Sequence, residues 1–188
     1  MGNLYIGLLH YPCRDRHDKI ITTMLTPLDI TDIARSACTF GVTRFDVITP
    51  LESQQQIARK LLDYWMTARV DLAFRRPALQ LVRVVDRLEA SLSGVLREEG
   101  LAPVVIGTDA RELALPRISY RRLRQRLDEE PTPVYLLFGT GWGVALEVLE
   151  RVDYLLPPVW GPTEYNHLSV RAAVAIILDR LRGRREDV

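Results

Sequence analysis

The stretch VYLLFGTGWG, residues 134–143, holds an apolar strand and the glycine-rich loop that ends it. Five apolar residues in a row, Val134 to Phe138, are typical of a strand buried on both faces. Glycines at alternate positions then let the backbone adopt positive φ values and come close to a ligand. The loop lacks the Gly-Lys-Ser/Thr of a P-loop, and it follows a late strand, whereas a dinucleotide-binding fingerprint follows the first. A tight strand-to-helix turn is the alternative interpretation.

Outward from this stretch, short apolar runs alternate with longer amphipathic segments. The predicted strands are residues 4–9, 45–49, 81–85, 103–107, 134–138 and 154–156. The predicted helices are residues 29–40, 53–68, 87–99, 120–129, 144–151 and 168–182. This alternation predicts an α/β fold, with a parallel sheet covered by helices on both faces. Ligands bind such sheets outside the carboxyl ends of the strands, so the candidate loops follow Ile106, Phe138 and Leu156.

The composition is that of a globular protein. The length of 188 residues suits a single domain over residues 1–188, and 47% hydrophobic residues exclude an intrinsically disordered chain. No apolar run approaches the roughly 20 residues that cross a bilayer. Met1 to His10 has neither the basic stretch nor the apolar length of a signal peptide. We therefore expect a cytoplasmic protein without membrane partners.

Neither the cysteines nor the histidines are spaced like metal ligands. Cys13 and Cys38 are too few and too far apart for a disulfide framework or a zinc site, so we expect no metal. The net charge is only +1, yet all but Lys19 and Lys60 of the 25 basic residues are arginine. Arginine binds phosphate with two parallel hydrogen bonds, so the composition permits nucleic-acid binding. Genome composition is an equally good explanation of the arginine bias.

Three segments together resemble a known family. Residues 166–176, NHLSVRAAVAI, are similar to the third motif of the SPOUT superfamily of RNA methyltransferases, in which Asn, Leu, Ser and Ala stand at this spacing. Residues 138–143 resemble the second motif. Residues 28–42, LDITDIARSACTFGV, resemble the first, in which an arginine precedes small residues and Phe-Gly. Among the subgroups, the chain is similar to stand-alone bacterial S-adenosylmethionine (SAM)-dependent RNA methyltransferases related to the tRNA guanine-N1 methyltransferase family.

The resemblance implies a Rossmann-like SPOUT fold with a deep trefoil knot at its C-terminal end, where SAM lies bent between three loops. It also places the last helix at a homodimer interface. The apolar residues Val170, Val174, Ile177 and Leu181 are the predicted contacts. By position, the predicted cofactor-binding residues are Thr108, Asp109, Phe138, Gly139, Thr140, Gly141, Gly143, Leu156, Pro157, Pro158, Asn166, His167 and Leu168. Taken alone, Asn166 also fits a helix N-cap.

The implied activity is methylation of RNA, with tRNA ahead of rRNA, at a guanine base nitrogen or a ribose 2′-hydroxyl. Arg35 matches the arginine of the first motif and would fix a phosphate, because a protonated guanidinium is a donor and not a base. Asp29 would accept the proton of a guanine nitrogen, or else cap its helix. Ser169 completes the predicted catalytic set. A surface role for Arg35 is the alternative.

RNA also needs a basic surface near the site. The candidates are Arg14 and Arg16 before the first helix, and Arg75 and Arg76, with Arg69, after the second. A solvated charged face is the alternative interpretation of these arginines. The alternative to an enzyme is a catalytically idle SPOUT domain that binds RNA or SAM as a sensor or assembly factor.

Overall fold

The computed structural model describes residues 2–67 and 74–184. Six strands form one parallel sheet, and a separate two-stranded antiparallel ribbon follows the first of them. The strands of the sheet are β1 Leu4–Leu9, β4 Arg44–Ile48, β5 Val82–Val85, β6 Val104–Gly107, β7 Val134–Gly139 and β8 Tyr154–Leu155. Their order is β5-β4-β1-β7-β6-β8. The ribbon consists of β2 Cys13–Arg14 and β3 Ile20–Ile21.

Helices cover both faces of the sheet, as the sequence predicts. They are α1 Pro27–Thr39, α2 Glu52–Thr67, α3 Arg76–Leu79, α4 Leu88–Glu99, α5 Tyr120–Glu129, α6 Leu146–Leu149 and α7 Val170–Arg182. Every predicted strand and helix is present, with its ends shifted by at most two residues. The ribbon and α3 were not predicted, because their runs are too short to show a period. No helix among the described residues is long and apolar enough to cross a membrane.

Side chains alternate along the central strands and divide the core between the two faces. Leu4, Ile6 and Leu8 of β1 pack in the cluster formed with α1, α2, α3, α5 and α7. Tyr5 and Leu9 point to the other side, under α4 and α6. This division follows from the period of two along a strand.

The ends of three helices are set by hydroxyl caps. Thr26 caps α1 in a capping box with Asp29. Asp29 N donates to Thr26 Oγ1 and Thr26 N donates to Asp29 Oδ2, both at 3.2 Å. Asp29 is therefore the third helical residue rather than the N-cap. Ser119 caps α5, as predicted. Ser169 caps α7, accepting from Ala172 N at 3.3 Å, so Asn166 is not that cap.

Helix α7 packs its apolar face inside the chain. Val174, Ile177 and Leu181 are buried in the same cluster as α1 and α5. Within one chain this face covers the sheet, and Val170 is half-buried beside it. The homodimer built partly on this helix stays a prediction. The apolar sequence of α7 correctly indicated that the helix is buried. It could not tell whether the sheet of the same chain or a second copy covers this face. The trefoil knot stays a prediction.

The face under α4 holds a buried ion pair. Arg44 donates from Nε to Oδ1 of Asp46 and from Nη2 to Oδ2, both at 2.9 Å. Arg44 also donates to Glu98 and, at 3.1 Å, to the carbonyl of Ser91. The Ser91 hydroxyl bonds to Asp46 and lies 2.6 Å from the hydroxyl of Tyr135. Such a bidentate pair with further hydrogen bonds is how a fold tolerates charge in its interior.

Candidate active site

A cavity of about 680 Å³ opens at the carboxyl ends of β6 and β7 and under the loop that follows β8. The loops predicted from the sequence all contribute to its wall. All predicted cofactor-binding residues except one line it: Thr108, Asp109, Phe138, Gly139, Thr140, Gly141, Gly143, Pro157, Pro158, Asn166, His167 and Leu168. Leu156 is the exception, because its side chain is buried in the core beneath the loop. Asp29 and Ser169 of the predicted catalytic set also line the cavity.

The glycine loop needs glycine at two positions. Gly141 has φ of 62° and Gly143 of 102°, values that side-chain-bearing residues rarely adopt. A Cβ at Gly143 would lie 2.9 Å from Oδ2 of Asp109, closer than packed atoms allow. The loop therefore presents bare backbone to the cavity, which supports the ligand-binding interpretation over that of a simple turn.

The ribbon β2–β3 braces this loop. Arg14 N donates to the carbonyl of Gly143 and Trp142 N donates to the carbonyl of Arg14, both at 3.0 Å. Ala145 N reaches the carbonyl of Pro12 at 3.1 Å. Backbone hydrogen bonds thus hold the segment between β1 and α1 against the glycine loop. Sequence reasoning missed this brace because it depends on backbone contacts between residues about 130 positions apart in the chain.

The two loops on the opposite side are tied together by side chains. The Asp109 carboxylate accepts from N, Nε and Nη2 of Arg111, each at 2.8 Å. Asn166 donates from Nδ2 to the carbonyl of Ala110 at 2.6 Å. Asp109 and Asn166 therefore shape the cavity wall, and Arg111 adds a lining cation that the sequence did not single out.

Asp29 faces the cavity across from a cation of α7. Its Oδ2 accepts from the hydroxyl of Thr26 at 2.6 Å, while Oδ1 lies 4.0 Å from Nη1 of Arg171. Arg171 Nε is also 3.9 Å from Oδ2 of Asp32. Arg171 thus links the first and third motifs. Its position two residues after Ser169 was the signal available in the sequence.

The structure does not bring Arg35 to the cavity within one chain. Arg35 is exposed and lines a shallow depression with Asp32, Ser36, Thr39 and Phe40. Arg35 lies six positions after Asp29, and at about 3.6 residues per turn their side chains leave the helix on different faces. Asp32 is shared between this depression and the Arg171 contact, so the two sites adjoin.

A buried histidine lies behind the glycine loop. His10 directly follows β1 and is fully buried, with Nδ1 2.9 Å from the hydroxyl of Thr23. That hydroxyl contacts the hydroxyl of Thr140, which donates to the carbonyl of Leu9 at 3.1 Å. Within the described residues, His10 Nε2 has no hydrogen-bond partner. Burial lowers the pKa of His10 to about 4, so the imidazole is neutral at pH 7.

The predicted RNA-binding arginines fall into two groups. Arg14 lines the cavity and pairs with Asp18, and Arg16 is exposed two residues further along. Arg75 stacks on the Trp65 ring at 4.5 Å and Arg76 begins α3, both outside the cavity wall. Arg69 lies outside the described residues. The described part of the chain holds no cluster of three or more metal-ligating side chains.

The chain matches the model of a known protein family over almost all of its length. The family model of SAM-dependent RNA methyltransferases matches residues 3–183, nearly the whole chain. The chain belongs to this family. It is therefore an enzyme that uses SAM as its methyl donor and RNA as its substrate, as the motifs predicted.

Three individual proteins are similar to this chain over nearly its whole length. An uncharacterized protein from Aquifex aeolicus is 36% identical over 97% of this chain and 89% of its own length. A tRNA (guanine-N(1)-)-methyltransferase from Nitratidesulfovibrio vulgaris is 43% identical over 96% of this chain. The match spans only 42% of that longer relative. A probable methylase family protein from Haemophilus influenzae has the same fold, with a TM-score of 0.64 and 22% identity over 96% of this chain and 65% of its own.

The cavity fits SAM in size and chemistry. A volume of about 680 Å³ is ordinary for a pocket that encloses a cofactor. Phe138, Val170, Ala173 and Ile177 supply apolar wall for a flat purine. Bare backbone at the glycine loop offers hydrogen-bonding groups without side chains in the way. The guanidinium of Arg111 can meet the carboxylate of the amino-acid end.

Proposed function

We propose that this protein methylates a guanine of tRNA at a base nitrogen. The observation that carries the proposal is the placement of the Asp29 carboxylate on the wall of the cavity that fits SAM. The relative named as a tRNA (guanine-N(1)-)-methyltransferase supports the substrate, since its matching part is 43% identical to this chain.

Asp29 is suited to take the proton that leaves a guanine nitrogen during methylation. SAM, when bound, supplies a methyl group activated by its sulfonium. Asp29 Oδ2 is held by the Thr26 hydroxyl at 2.6 Å, which leaves Oδ1 on the side of Arg171. A positioned carboxylate within hydrogen-bond reach of the acceptor contributes about 10²–10⁴-fold to such a reaction. Arg171 fixes the carboxylate against α7 while the acceptor binds.

The remaining predicted site residues have supporting roles in this proposal. The loops around Gly139 to Gly143 and Pro157 to Leu168 hold SAM and exclude water from it. The Ser169 hydroxyl accepts from Ala172 N and keeps its own hydrogen free to donate into the cavity. Arg35 binds a phosphate of a nucleotide outside the cavity, because its depression adjoins the Arg171 contact. Arg14 and Arg16 extend this positive surface on the other rim, and Arg75 and Arg76 contact more distant RNA.

We also propose that residues 1–188 act in the cytoplasm as a single methyltransferase domain, in a homodimer. Support for a dimer comes from Met24 and Leu28, exposed apolar residues beside Asp29 that a second copy can cover. A monomer mass by light scattering at micromolar concentration would contradict the homodimer.

Nucleoside analysis tests the proposed reaction. The protein is incubated with SAM and, in separate reactions, with tRNA or rRNA from a strain that lacks it, and the digested nucleosides are identified by mass spectrometry. We expect 1-methylguanosine. Ribose-methylated nucleosides instead would refute the base-nitrogen acceptor, and transfer to rRNA alone would refute tRNA as the substrate.

Asp29→Asn tests the proton acceptor. The amide still accepts the Thr26 hydrogen bonds of the capping box but has little basicity, so we expect turnover to fall by about 10²-fold or more. Asp32→Asn is the matched control, because Asp32 also faces Arg171 but is exposed and does not line the cavity. Equal turnover of the two variants would remove Asp29 from the chemistry.

A further inference from the structure

The mouth of the cavity carries aromatic rings that the cofactor site does not need to bury. Trp142 is 58% exposed and Tyr165 is 72% exposed. Between them lies His167, whose ring centroid is 6.2 Å from that of Trp142 and 5.7 Å from that of Tyr165. Trp142 and His167 both line the cavity. Large rings clustered in water at the entrance to a site mark a binding surface, because exposing them has a cost in free energy.

Trp142 is exposed on a fixed backbone. Its N donates to the carbonyl of Arg14 at 3.0 Å, and Nη2 of Arg14 donates back to its carbonyl at 3.4 Å. The glycines on either side, with φ of 62° and 102°, turn the chain so that this residue projects from the loop. A ring displayed on a backbone held from both sides is preorganised for a ligand, since little entropy is lost when it is contacted.

The other two rings are anchored as well. Asn166 lies between Tyr165 and His167, and its side chain donates to the carbonyl of Ala110 at 2.6 Å. Its own carbonyl accepts from Leu168 N at 3.2 Å. The two halves of the aromatic cluster are therefore tied to different loops of the cavity wall, and the space between those loops leads to the cavity.

We propose that Trp142, His167 and Tyr165 form a stacking platform for an unpaired RNA base at the mouth of the cavity. This proposal rests on the proposed function and specifies its substrate class: the nucleotides next to the methylated one lie in a loop or single strand. Every base has a π-face that stacks on an aromatic ring, but a paired base in a helix keeps that face covered. Arg16 and Lys19 are exposed in the turn that follows Arg14, the residue bonded to Trp142, and they offer positive charge to the backbone of that strand.

The test compares single-stranded and duplex RNA. Fluorescence anisotropy measures the affinity of a labelled mixed-sequence strand of about 12 nucleotides, alone or annealed to its complement, with S-adenosylhomocysteine filling the cofactor site. We expect Trp142→Ala to weaken single-strand binding about tenfold and to leave duplex binding unchanged, as expected for the loss of one stacked base. Trp142→Phe keeps a ring and should restore most of the affinity.

Trp160→Ala is the matched control. Trp160 is 47% exposed on the loop that carries Tyr165 and His167, but it does not line the cavity. Its removal should therefore change the affinity for neither single-stranded nor duplex RNA. Because the glycine loop offers SAM its backbone rather than the Trp142 ring, calorimetry with S-adenosylhomocysteine should give dissociation constants within a few-fold of each other for wild type and Trp142→Ala.

Three results would overturn the platform. Equal effects of the two tryptophan variants would show that the ring has no special position. A tenfold loss of S-adenosylhomocysteine affinity in Trp142→Ala would show that the ring covers the cofactor, and a change of oligomeric mass would show that it packs on a second copy. Failure of the proposed function looks different, because wild type itself would then form no 1-methylguanosine in tRNA.

Discussion

Two buried polar groups on neighbouring strands differ in how completely they are paired. Arg44 and Asp46 lie within β4, and their polar side-chain atoms all have partners among Glu98, Ser91, Tyr135 and each other. His10 lies one residue beyond β1 and is equally buried, yet its Nε2 has no partner in the described part of the chain. A complete network stabilises a fold, whereas a buried polar atom left open at the ligand edge of a sheet is typical of a functional site.

Position along the strands explains the difference. Parallel pairing aligns Tyr5 with Arg44 and Gly7 with Asp46, which places the ion pair in the first three residues of β4, before the carboxyl edge and under α4. His10 follows the last paired residue of β1 and stands behind the glycine loop that lines the cavity. The part of β4 before the carboxyl edge is therefore built for stability, and the carboxyl edge of the sheet keeps free hydrogen-bonding capacity.

Breaking the complete network should have the largest effect. Asp46→Ala leaves the Arg44 charge buried without its main partner, and we expect the free energy of unfolding to fall by about 3–5 kcal/mol. Denaturant titration followed by circular dichroism measures the loss. Asp32→Ala, at an exposed carboxylate, should stay within about 0.5 kcal/mol of wild type. If Asp46→Ala lost no more stability than Asp32→Ala, the network would contribute little to the stability of the fold.

The buried, incompletely paired His10 predicts a pH dependence of stability. In the unfolded chain His10 has a pKa near its ordinary 6.5, whereas burial lowers it to about 4 in the fold. Between these values the unfolded chain binds the extra proton, so stability falls as the pH drops from 6.5 to 4, by about 3 kcal/mol at most. His10→Asn keeps a polar partner for Thr23 but does not titrate in this range.

The measurement is the difference in unfolding free energy between wild type and His10→Asn at pH 7 and at pH 4.5. Carboxylates that titrate in the same range cancel in this difference. We expect wild type to lose more stability than the variant on acidification. Parallel pH curves for the two proteins would show that His10 is protonated as easily in the fold as in the unfolded chain.

Much of this fold and site could be predicted from the sequence. The features that could not be predicted depend on contacts between residues that are far apart along the chain. Apolar periodicity predicted the strands and helices, and the rule for carboxyl edges selected the loops that form the cavity. The ribbon at Cys13 and Ile20 was missed because its strands are two residues long and pair with a loop far along the chain. His10 and Arg171 were missed because each depends on a partner supplied by another element. Arg35 was expected near SAM because a motif gives the order of residues but not the face on which each leaves its helix.

The smallest effect on stability, and the sharpest on function, should come from two glycines with the same backbone conformation. Gly141 has φ of 62° in the cofactor loop, and Gly41 has φ of 66° after α1. Replacing either by alanine forces a Cβ into the left-handed region, which costs about 1–2 kcal/mol. At Gly41 the new Cβ meets no atom within 4 Å, whereas at Gly141 it lies 3.0 Å from Cγ2 of Thr23 and 3.1 Å from the carbonyl of Arg14. In Gly141→Ala the loop, Thr23 and Arg14 must therefore give way by a few tenths of an ångström, and we expect the backbone that faces the cavity to shift with them. We expect both variants to lose similar stability in denaturant titration, and only Gly141→Ala to lose SAM affinity in calorimetry, by about tenfold.

If both variants kept full affinity, the ribbon would not set the geometry of the cofactor loop. If both lost affinity equally, the loss would reflect general destabilisation rather than the position of this loop.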